Sequence, residues 1–153
     1  MWPALTLAFF SKSSSAALPL SLKCAEERAH LNHKVARFSF PMCTTINMNA
    51  CAAFIFITVI FVSQINGASF SYFQLILWIF IASISAVGNA AVPMGCYFLA
   101  SSLLAANNVP IEILGLILPV YALIDMLETA INVWSDSCVC ALVDKDLSHN
   151  SNF

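Results

Sequence analysis

From Phe38 to Ile111 the chain runs for 74 residues without a single Asp, Glu, Lys or Arg. A soluble domain needs charged residues spread over its surface to stay dispersed, and a stretch of this length cannot supply them. Across all 153 residues, 60% are hydrophobic and 9% charged, against about 45–50% and about 25% in ordinary soluble domains. These values exclude a disordered chain, a nucleic-acid binder and an ordinary cytosolic enzyme. A membrane protein is the class that remains.

The formal net charge of −2 points to no polyanionic partner. Most of the six cysteines, Cys24, Cys43, Cys51, Cys96, Cys138 and Cys140, sit in apolar runs, where a thiol behaves as a small hydrophobe. Cys138 and Cys140 are too closely spaced for a zinc knuckle, and His30, His33 and His149 lie elsewhere in the sequence. No cysteine metal site is expected.

Residues 1–10 are apolar, but a spanning helix takes about 20 residues, and the basic start of a signal peptide is missing. Residues 11–19 are small, polar and turn-like. Lys23, Glu26, Glu27, Arg28, Lys34 and Arg37 then concentrate the charge in a solvated helix or loop. The apolar run 38–65 is interrupted by Thr44-Thr45-Ile46-Asn47-Met48-Asn49. Two readings stand: a helix broken beside protein or a water-filled cavity, or an intact helix whose Asn side chains bond neighbouring helices. Asn66 to Ser69 signals a turn. Apolar arms over 70–87 and 96–106 flank a Gly/Pro-rich break, as two tight spans or as one re-entrant hairpin. Asn107 to Pro110 closes that unit with a second turn.

The helix expected over 111–142 carries its polar residues as a stripe. At about 100° per residue, Asp125, Glu128, Thr129, Asn132 and Asp136 share an arc of roughly 100°. Tyr121 joins them, while Leu123, Ile124, Leu127, Ile131 and Val133 face elsewhere. Pro119 is the early breaker and would kink the helix. Three acidic residues facing lipid would cost on the order of 8–10 kcal/mol. They are therefore expected to face protein or an aqueous cavity, where carboxylates bind ions or substrate. The alternatives are a surface helix of a soluble protein and a buried hydrogen-bond network. With no hydrolase-like Ser/His/Asp or Cys/His grouping and no phosphate-binding loop, the chain is not expected to be an enzyme. Intramembrane carboxylates suggest transport.

In order and spacing, SKSSSAALP, TTINMN, AAVPMG and DMLETAINVWSD resemble the dicarboxylate/amino acid:cation symporters, the glutamate transporter family, over roughly residues 1–146. The resemblance implies an all-α membrane protein, the C-terminal part of a transport domain. Its expected parts are a partial first re-entrant hairpin (1–22, tip 11–19), a charged cytoplasmic connection (23–37) and a broken spanning helix (38–65). A second re-entrant hairpin (70–106), a final spanning helix (110–142) and a cytoplasmic tail (143–153) follow. The four Lys/Arg of the first connection put that side in the cytoplasm.

By the same resemblance, Ser14 and Ser15 with Ser13 form an inner gate, and residues 91–95, including Val92 and Gly95, an outer gate. Asp125 would hold the substrate amino group, Asn132 its α-carboxylate, and Thr129 the pocket wall. Asn47 and Met48, with Thr45 and Asn49 in the same unwound stretch, would serve cations. Asp136 and the Asn132 carbonyl would hold a sodium ion; a proton is the other coupling ion to consider. Cys51 stands where the family often has a substrate-contacting Thr, Ala50 where it has Gly, and Asn49 where it has Asp. Glu128 occupies the position of the arginine that reads a side-chain carboxylate, so a neutral or cationic amino acid is the expected substrate. Family members have several hundred residues and form homotrimers. The chain is thus expected to be a truncated part that does not transport alone, in a cell membrane such as the bacterial inner membrane, with the lipid bilayer, an amino acid or dicarboxylate and sodium as partners. A small membrane interaction protein or subunit is the alternative.

Overall fold

The computed structural model of the chain describes residues 1–89, 92 and 94–150. Ala90, Ala91 and Pro93 of the expected outer gate lie outside the described residues. Every regular element among the described residues is a helix: α1 (Trp2–Ser11), α2 (Ser14–Glu27), α3 (His33–Ile46), α4 (Asn49–Ile65), α5 (Tyr72–Gly88), α6 (Gly95–Ala106) and α7 (Leu114–Asn150). They fall into two compact units. The first joins Met1–Asn47 to the chain from Met126 onward, and the second is Met48–Asp125.

In the first unit, α1 ends at Lys12, whose left-handed backbone (φ 53°) lets its N–H donate to the Ala8 carbonyl. Ser13 then caps α2 by accepting from the Ala16 N–H at 3.2 Å. Such a cap satisfies one of the free donors of a helix start, so the turn shrinks to Lys12 and Ser13, and residues 14–19, expected as turn-like, are helical. Helix α1 packs on α2 and α2 on α3. Ala8 and Ala17 share a buried cluster with Val133 of α7, and Ala25, Ala36 and Phe40 share another with Cys140. Small side chains let helices approach closely. Asn32 caps α3 by accepting from the Lys34 N–H at 2.9 Å, while its own N–H donates to Asp144 at 3.1 Å. The α2–α3 connection and the late turns of α7 therefore lie at one end of this unit.

In the second unit, α4 packs against α5 and α6 through Ile55, Val59, Ala82, Ala86, Ala100 and Leu104. Tyr121 is wholly buried between the rings of Phe54 and Tyr97, at centroid distances of 4.8 and 5.4 Å. The Tyr97 hydroxyl donates to the Leu114 carbonyl at 3.0 Å. A capping box between Ser71 and Gln74 starts α5. Gly95 opens α6, where a Cβ would collide with the Asn89 side chain.

The 38–65 run is broken, not continuous. Asn47 (φ −87°, ψ 69°) and Met48 (φ −100°, ψ 48°) both leave helical geometry. Among the described residues, two segments are long and apolar enough to cross a membrane: His33–Ile65, which contains this break, and Leu114–His149. Helix α7 starts later than the sequence suggests and continues past Leu142 to Asn150, into the segment expected as a tail, of which residues 151–153 lie outside the described residues. No Gly or Pro stands in 143–150 to end it.

Helix α7 is turned inside out relative to a soluble helix. Glu128, Thr129, Asn132 and Asp136 are buried, the last at 1% exposure, while Leu123, Leu127 and Trp134 are 62%, 53% and 57% exposed. Soluble helices hide the apolar stripe and show the polar one; hydrocarbon reverses that preference. Helix α5 follows the same rule, burying Ala82 and Ala86 and exposing Phe73, Phe80 and Ile84. Replacing Tyr121 by Ala removes both ring contacts and is expected to cost about 3–5 kcal/mol, read as lowered resistance to unfolding in detergent. Phe73→Ala, on an exposed face, should change it by less than about 0.5 kcal/mol.

Candidate functional site

The site is built on the inward face of α7. Asp136 meets the end of α3, where the Asn47 side-chain N–H donates at 2.9 Å both to the Asp136 carboxylate and to the Ser135 hydroxyl. Thr44 lies three residues before Asn47, on the same helix face; it is buried and donates its hydroxyl to the Phe40 carbonyl at 2.8 Å. A helix end leaves backbone carbonyls without intrahelical partners and carries partial negative charge. Carboxylate, amide, hydroxyl and helix C-terminus thus converge in one place. Hard cations take oxygen ligands of this kind.

Charge sharpens the point. A buried carboxylate without compensation is strongly disfavoured, yet among the described residues no cationic side chain pairs with Asp136. The ion pairs found there join Glu26 to Arg37 and His33 at the far end of α3. What Asp136 has instead is the Asn47 amide as a hydrogen-bond partner.

The serines expected to form the first gate lie in the same unit. Ser14 and Ser15 form the first turn of α2, and Ala17, just beyond them, packs against Val133, the neighbour of Asn132. The N-terminus of a helix favours anionic groups. Within this unit, α7 is therefore flanked by the positive end of α2 near Val133 and the negative end of α3 at Asp136. Thr129 and Asn132 are buried on the same face, and Glu128 with them.

Other expected residues are placed differently. Thr45 is exposed and its hydroxyl donates to the Met42 carbonyl of its own helix at 2.8 Å; its neighbour Thr44 is the one that is buried. Thr44 and Ser135 were not singled out by the sequence. The i, i+3 relation of Thr44 to Asn47 was the available signal; Ser135 offered none beyond adjacency to Asp136. Met48, Asn49, Cys51, Val92, Gly95 and Asp125 belong to the second unit. There the exposed Asn49 accepts from the Ala50 N–H, Cys51 is in the core and Val92 is exposed. The Asn89 amide beside Gly95 reaches the Cys96 sulfur at 3.7 Å.

Residues 1–146 match the sodium:dicarboxylate symporter family. The bovine (Bos taurus) neutral amino acid transporter B(0) is 34% identical over 148 residues, covering 97% of this chain and 28% of that protein. The human (Homo sapiens) protein of the same name is 34% identical over 139 residues, with 91% and 26% covered. Excitatory amino acid transporter 3 of mouse (Mus musculus) is 33% identical over 145 residues, with 95% and 28% covered. The chain thus spans little more than a quarter of the length of these relatives. An inward carboxylate stripe and a helix broken beside it are the features expected of such transporters. The chain belongs to the sodium:dicarboxylate symporter family.

Proposed function

We propose that the chain is part of the transport domain of a sodium-coupled amino-acid symporter, contributing a cation site and one gate. The observation that carries this reading is Asp136: a buried carboxylate bonded by Asn47 at a broken helix end, with no cationic side chain beside it among the described residues. Oxygen donors grouped at an interrupted helix suit a coupling sodium ion, as in other transporters with discontinuous helices. In this reading α1–α2 and α5–α6 are re-entrant hairpins, since helices of 10–17 residues fall short of the about 20 needed to span. By the family resemblance, Asp125, Thr129 and Asn132 are substrate-binding residues, Ser14 and Ser15 belong to one gate, and Val92 and Gly95 belong to the other. Met48 and Asn49 add cation ligands, and Cys51 adds to the substrate wall. The assembled protein is a homotrimer. We place it in a cell membrane without narrowing this to the bacterial inner membrane, because the relatives named above are animal proteins.

Sodium should raise the unfolding midpoint of the chain in detergent, where choline at equal ionic strength does not. Asp136→Asn should weaken that protection at least tenfold in sodium concentration, or about 1.4 kcal/mol. Equal protection by both salts would count against a sodium site.

Glu128 sets the substrate class. A carboxylate brought close to another carboxylate is repelled, by up to about 4 kcal/mol at 4 Å in a partly polar setting. Grafting residues 125–136 into a full-length relative should therefore leave uptake of neutral or cationic amino acids and weaken competition by aspartate at least about tenfold. Strong preference for aspartate would sink this assignment. A chain that spans 28% of the length of its transporter relative is expected not to transport unaided. Sodium-driven uptake by liposomes holding it alone would contradict that and favour a self-sufficient small transporter over either a part or a non-transporting subunit.

A further inference from the structure

The Asn47–Asp136 bond fixes the register of α3 against α7 in the first unit, and the Asn32–Asp144 bond shows that the two run antiparallel. Four residues back along α3 from Asn47 is Cys43, and four residues on along α7 from Asp136 is Cys140. Residues four apart lie one above the other on a helix face, so antiparallel register brings these cysteines opposite each other. Cys140 packs against Phe40 and Ala36 of α3, about one and two turns back from Cys43, which keeps the two thiols on facing sides of the helix pair. The ladder thus reads Asn47 on Asp136, then Cys43 facing Cys140.

We propose that Cys43 and Cys140 form a reversible disulfide, a redox lock between α3 and α7 one turn from Asp136. The two thiols are not equivalent. Cys140 is wholly buried beside Ala25, Ala36 and Phe40, whereas Cys43 lines an open apolar groove of about 670 Å³ with Phe38, Met42 and Val139. A small neutral peroxide reaches Cys43 first. The Cys43 sulfur takes one peroxide oxygen, the O–O bond breaks, and water leaves with the thiol proton, giving a sulfenic acid. The Cys140 sulfur then attacks the Cys43 sulfur; the S–S bond forms, the S–O bond breaks, and hydroxide leaves as water with the Cys140 proton. In sum two thiols and one hydrogen peroxide give one disulfide and two waters. The lock requires no bound ion or solute, and so stands apart from the transport reading.

The test treats the full chain in detergent with hydrogen peroxide, then labels remaining thiols with a maleimide and maps them by peptide mass spectrometry. The lock predicts that Cys43 and Cys140 lose labelling together and appear as one cross-linked peptide that a dithiol reductant separates. It also predicts that oxidation raises the unfolding midpoint by a few degrees, reversibly. In Cys43→Ser, Cys140 should stay fully labelled after peroxide; in Cys140→Ala, Cys43 should stop at its oxygenated acids. Cys43 oxidised in the unmodified chain with Cys140 still labelled, cross-linking of either to another cysteine, or a cross-link without gain in midpoint would overturn the proposal.

Discussion

Everything in the first unit turns on keeping one carboxylate out of water. Asp136 is 1% exposed, and burial of a charge is tolerated only with hydrogen bonds or an opposite charge beside it. Asn47 supplies the hydrogen bond from the point where its own backbone leaves the helix. The interruption of α3 and the burial of Asp136 are therefore two sides of one arrangement. An unbroken helix would keep Asn47 in helical register and continue the backbone ladder past the carbonyls that now end beside the carboxylate.

The same constraint explains the inverted faces. Once α7 turns Glu128, Thr129, Asn132 and Asp136 inward, Leu123, Leu127 and Trp134 have to point out. In water this would expose a broad apolar surface, of a kind soluble monomers avoid. In hydrocarbon it is the lower-energy choice. Small residues at the helix contacts, Ala8, Ala17, Ala25 and Ala36, let short helices pack tightly where the hydrophobic effect between helices is weak.

Much of this was legible in the sequence because it depended on charge and period. The charge-free stretch gave the membrane class, and the 100° stripe gave the inward face of α7. The four motif runs led to the family that the comparisons then showed. Local chemistry with competing outcomes was harder to read. The serine run looked like a long turn, but Ser13 spends its hydroxyl on capping, and the helix begins one residue later. Thr44 and Thr45 are adjacent and chemically alike, yet a turn of about 100° between neighbours buries the first and exposes the second. The tail beyond Leu142 stays helical because nothing in it breaks a helix. The register of α3 on α7, and with it the facing of Cys43 and Cys140, depends on tertiary packing that no local pattern encodes.

The inward turn of the α7 polar face in a membrane is the central claim, and site-directed spin labelling in a bilayer tests it most directly. Labels at Leu123, Leu127, Ile131 and Trp134 should relax with lipid-dissolved oxygen and not with a water-soluble nickel chelate. Labels at Thr129 and Asn132 should be shielded from oxygen. Strong relaxation of the outer four by the nickel chelate would place that face in water and contradict the account.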